Sequence, residues 1–79
     1  MTKEQKELLY SLADFYLKEF NIRMIDTWSH TDYKLSREYI EKINDLEKEY
    51  KSKYGELPKW ETIDVVQKAK KDLEKEIMG

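Results

Sequence analysis

The chain has no cysteine, one proline (Pro58), two glycines (Gly55 and Gly79) and two alanines. Without cysteine there is no disulfide framework, and zinc sites built on thiolates are excluded. So few helix breakers favour long helices. No apolar run exceeds three residues, so no membrane-spanning segment is expected. The charged start, "MTKEQKELLYSL", lacks the apolar core of a signal peptide, and a cytoplasmic location is expected. Charge of one sign is not in excess either. Fifteen basic residues stand against seventeen acidic ones, a net charge of -2, so the basic footprint usual in nucleic-acid binders is missing.

What is present is charge and aromatic character. Of 79 residues, 41% are charged and 39% hydrophobic, a polar composition for a globular domain. Ten aromatics nevertheless argue against disorder. The length allows one domain with a modest core, worth about 3–5 kcal/mol net. Thirteen of the basic residues are lysine. With many Glu, Tyr, Ile and Asp, this is a composition associated with AT-rich bacterial or phage genes.

Helical periodicity dominates. Thr2 and Gln5 have capping-box spacing. Leu8, Leu12, Phe15, Tyr16 and Phe20 then recur at three- and four-residue steps, and Leu9, Ala13 and Leu17 widen the stripe. This predicts a first helix over about 3–20, buried against more than one neighbour or partly an interface with a second copy. Residues 21–28 fit a strand (Phe20, Ile22, Met24) or a helix (Ile22, Ile25, Trp28). The helix is the favoured reading, because a lone strand would have no partner in the chain; it carries the first helix, continued or kinked, to about 28 or makes a short fourth segment around 22–28, followed by a loop near 29–35.

A second helix is predicted over 36–54. Ser36 is its expected N-cap, with Thr31 or Asp32 as earlier alternatives. Its apolar stripe is Leu35, Tyr39, Ile43, Leu46, Tyr50 and Tyr54. Glu38–Lys42, Glu47–Lys51 and Glu49–Lys53 are expected i,i+4 ion pairs. Gly55 suits the residue after the helix, Pro58 cannot continue it, and Thr62 can cap a third helix over 62–78. The stretch "KYGELPKWETID" therefore reads as a corner between two helices, locked by Trp60 over Leu57 and Tyr54. The fold class is all-α, a small three-helix bundle.

Catalytic constellations are absent from this pattern. His30 is the single histidine, and Ser29, His30 and Asp32 are sequence neighbours, which is not triad geometry. The glycines stand alone, so no phosphate-binding loop is present. No enzyme activity, cofactor or metal is expected. Protein binding is the expected function, as a regulator, inhibitor or adaptor, consistent with an accessory protein of a phage or mobile element. Its candidate residues are Trp28 and Tyr33, of types common at binding hot spots, and the acidic flank Glu38, Glu41, Asp45 and Glu49. The like-charge steps Glu41–Asp45 and Asp45–Glu49 cost helix stability, which suits a partner with a basic groove. A homodimer is a further expectation. The alternatives are a helix-turn-helix-like DNA binder using Lys68, Lys71 and Lys75, although Glu61 and Asp64 at the start of that helix would repel phosphates, and a purely structural homo-oligomer whose helices complete one another's core.

Overall fold

A computed structural model describes residues 1–25 and 27–79. The described residues form three helices: α1 (Lys3–Arg23), α2 (His30–Tyr54) and α3 (Ile63–Met78). The predicted all-α fold is the observed one, and no strand occurs among the described residues. Each helix starts on a hydroxyl cap. Thr2 accepts from the Gln5 amide, Ser29 from Asp32 and Thr62 from Val65, which satisfies backbone donors that have no partner within the helix.

The start of α2 corrects the expectation. The helix begins at His30, and Ser36 lies buried within it. Ser29 and Asp32 form a reciprocal capping box: the Asp32 carboxylate accepts from the Ser29 amide at 3.0 Å, and Ser29 Oγ accepts from the Asp32 amide at 3.2 Å. Residues 30–35 are therefore helix. α1 ends at Arg23 with Met24 as its cap, so the extension to 28 and the short fourth segment are not formed among the described residues. Asp26, within that stretch, lies outside them.

α1 is the central element. It packs on both α2 and α3, whereas among the described residues α2 and α3 stay apart. Leu12, at 1% exposure, is the deepest large side chain. Leu9 of α1 meets Tyr50 of α2 and Leu73 of α3 in one buried cluster. Of the wide stripe on α1, Leu9, Leu12 and Ala13 are buried inside the monomer and Leu8, Phe15, Tyr16, Leu17 and Phe20 are partly buried.

Cross-helix contacts fix the directions. Gln5 donates to the Tyr50 hydroxyl at 3.0 Å, and Phe15 packs on Tyr39 at 5.9 Å, so α2 runs antiparallel to α1. Lys70 donates to Asp14 at 2.8 Å, and Lys6 lies 3.8 Å from Glu76, so α3 is also antiparallel to α1. α2 and α3 are therefore parallel. The link between them must travel the length of α1, from the level of Glu4 (held by Lys53 at 2.6 Å) to the groove Ile63 shares with Phe20 and Arg23. Sixteen residues of helix span about 24 Å. The eight residues 55–62 reach at most roughly 26–29 Å, so the path is stretched, interrupted by a tight turn in which the Trp60 amide donates to the Pro58 carbonyl at 3.0 Å.

This segment is a strap, not the predicted corner. Leu57 and Trp60 pack against the central cluster, as do Tyr54, Leu8 and Tyr10. Trp60 sets its ring edge-to-face on Tyr16 of α1, with centroids 5.9 Å apart and planes at 86°. Gly55 makes the turn out of α2 at φ +93°, a backbone region that side chains with a Cβ avoid.

The ion pairs also depart from the predicted local pattern. Lys53 joins Glu4 and Lys70 joins Asp14 across helices, while Glu47 accepts from the Tyr16 hydroxyl at 2.6 Å. Burial acts to raise the Asp14 carboxyl, but hydrogen bonds from Lys70 and Lys18 outweigh it and hold the group below the usual carboxylate range. Burial, reinforced by the Glu47 carboxylate, pushes the Tyr16 hydroxyl well above an ordinary tyrosine.

Candidate protein-docking surface

The first turns of α2 carry an apolar surface outside the core. Tyr33 is 62% exposed and Ile40 46% exposed. Trp28, half-buried, sets its ring edge-to-face against Tyr33 with centroids 4.7 Å apart. The capping box aims this cluster. By starting α2 at His30, it places Tyr33 on the first turn, with Trp28 just before the cap. Trp28, Tyr33 and Ile40 line an open groove of about 530 Å³, whose rim includes Lys34, Arg37 and Glu41. Met24 and Ile25, both exposed, extend the apolar character of this end.

The predicted acidic flank lies beside this groove. Glu38, Glu41, Asp45 and Glu49 are all exposed. The side of α2 turned to α1 carries Ser36, Ile43 and Tyr50, and at about 100° per residue the four carboxylates fall on the opposite side. Glu41 belongs to both flank and groove. The structure therefore joins Trp28, Tyr33 and Glu41 in one surface, with Asp45 one turn on and Glu49 a further turn away. Sequence reasoning missed Ile40, Lys34 and Arg37. Ile40 departs from the apolar stripe of α2, which was the available signal that it serves something other than the core.

The lysines Lys68, Lys71 and Lys75 are exposed on α3, with Asp64 on the same side of the helix by spacing. Among the described residues, α2, the linker and α3 do not form a helix-turn-helix. That motif needs two helices in contact through a turn of three or four residues, whereas α2 and α3 run parallel, apart and linked by the strap. Ser29 and Asp32, the neighbours of His30, are committed to the capping box, their side chains 3.0 Å apart. No helix among the described residues is long and apolar enough to cross a membrane. No family model, curated protein or solved structure matches the chain.

Proposed function

We propose that the chain is a non-enzymatic protein-binding module that docks through the outward face of α2 and the aromatic pair before it. The observation that carries this reading is the exposed Tyr33–Ile40 surface, backed by Trp28 and rimmed by Arg37. Tyrosine, tryptophan and arginine dominate binding hot spots because they bury large areas and still offer a polar tip. Leaving such side chains in water gains nothing for the monomer, whose core forms on the other side of α2. The neighbouring carboxylates favour a counter-surface that carries basic groups, by electrostatic complementarity. A regulator or inhibitor of the accessory kind encoded by phages fits the small size and lysine-rich composition.

The test is site-directed photo-crosslinking in the cells that make the protein. A benzophenone side chain at Tyr33 is expected to capture protein in a discrete adduct, and the same probe at Lys68 on α3 is not. Absence of any adduct from Tyr33, or equal capture from both positions, would refute the assignment.

A further inference from the structure

The outward face of α2 carries its own complement. At about 100° per residue, Tyr33, Lys34, Arg37, Glu41, Asn44 and Asp45 share one face, with Ile40 and Glu38 on its two margins and His30 and Lys48 at its two ends. Their positions are symmetric about residue 39: 33 and 34 mirror 45 and 44, and 37 mirrors 41. Between 33 and 45 the charges on this face are antisymmetric about the same point, with cations at Lys34 and Arg37 and anions at Glu41 and Asp45, and Lys48 beyond them stands opposite His30. Among the described residues, none of these four has an ion-pair partner within the monomer.

A two-fold axis requires this relation, because residue i of one copy then meets j of the other and j meets i. We infer that the partner of this surface is a second copy of the chain, paired through antiparallel α2 helices about an axis beside residue 39. The inference rests on the docking reading above and names its occupant. In this arrangement Arg37 faces Glu41 of the other copy, twice. Lys34 faces Asp45, Tyr33 faces Asn44, and Ile40 meets its own copy next to the axis. A parallel pairing would instead set Arg37 against Arg37. The contact is one helix face wide, below the roughly 1,200–2,000 Å² of stable specific interfaces, so the dimer dissociates on dilution.

Sedimentation velocity over a wide concentration range tests this with charge reversals at exposed positions. Wild-type protein is expected to move from 9.7 kDa toward twice that mass as concentration rises. Arg37→Glu alone and Glu41→Arg alone should each weaken association at least tenfold. Mixing the two variants, or combining both changes in one chain, should restore it. Circular dichroism verifies that each variant stays helical. A monomer at every concentration overturns the inference, as does a dimer that either single reversal leaves intact. The Tyr33 crosslink separates this failure from that of the docking reading. An adduct with a different protein and none with itself sinks only the second copy, whereas no adduct at all sinks both.

Discussion

Replacing Trp60 with alanine distinguishes a strap from a corner. In a corner, the tryptophan would cover the turn and little else. In the strap, it holds an extended segment against α1 through Tyr16 and lies against the cluster of Leu9, Tyr50 and Leu73. Full burial makes Trp→Ala cost about 3–5 kcal/mol. Partial exposure of Trp60 reduces that, and loss of the edge-to-face pair adds about 0.5–1.5 kcal/mol. A net cost of about 2–3 kcal/mol follows. Each kcal/mol lowers Tm by roughly 4–8 °C in a domain of this size, so a drop of about 10–20 °C is expected. That is a large share of the ~3–5 kcal/mol a core of this size supplies. Thermal and urea unfolding followed by circular dichroism would measure it. Glu56→Ala and Lys59→Ala, exposed positions on the same segment, serve as controls and should stay within about 0.5 kcal/mol. If Trp60→Ala falls within that same margin, the strap is not what holds α3 in place, and the reasoning fails.

Two further outcomes follow from the same contacts. Gly55→Ala should destabilise by about 1–3 kcal/mol in urea titration; an added Cβ meets nothing within 4 Å, so the cost would come from the backbone at φ +93° alone, and a neutral result would refute it. The Tyr16 hydroxyl holds its proton more tightly folded than unfolded. Its stabilisation is therefore fully present below the ordinary tyrosine value near ~10 and is lost as pH rises toward the folded value. Urea midpoints between pH 8 and 11 should fall less steeply for Tyr16→Phe than for wild type, and equal slopes would contradict the link.

Local signals predicted much of the architecture. Thr2, Gly55 and Thr62 mark helix ends through chemistry confined to a few residues, and each lies where its type suggests. α3, with Val66 and Leu73 buried on one stripe, was equally legible. The start of α2 was not, because its first turns turn only Leu35 and Ser36 inward, and a small buried serine carries no apolar signal. Its capping box also closes with aspartate where glutamate or glutamine is usual. The course of 55–62 was hidden for a different reason. Glycine and proline mark where a helix stops, but the path of the chain beyond depends on where Leu57 and Trp60 find apolar cover, which lies on α1. Two ion pairs, Asp14–Lys18 and Glu19–Arg23, are local to α1, but others went to distant partners. Lys53 and Lys70 reach carboxylates on α1 that no spacing rule along their own helices could identify. For the proposed docking surface, Trp28 and Tyr33 were visible as residue types and Ile40 as an apolar residue off the stripe, but Arg37 became legible only once α2 had a defined outward side.

The parallel course of α2 and α3 also governs how the molecule would yield to mechanical force. α1 starts and α3 ends at the same pole, where Lys6 lies 3.8 Å from Glu76. Tension applied across Met1 and Gly79 therefore loads the α1–α3 contacts one after another from that pole, beginning with Lys6–Glu76 and passing to Lys70–Asp14. Contacts broken in sequence resist far less than contacts sheared together. A pull between residue 30 and residue 79 would load the α1–α2 and α1–α3 seams in shear, so one small bundle would be soft along one axis and stiff along another.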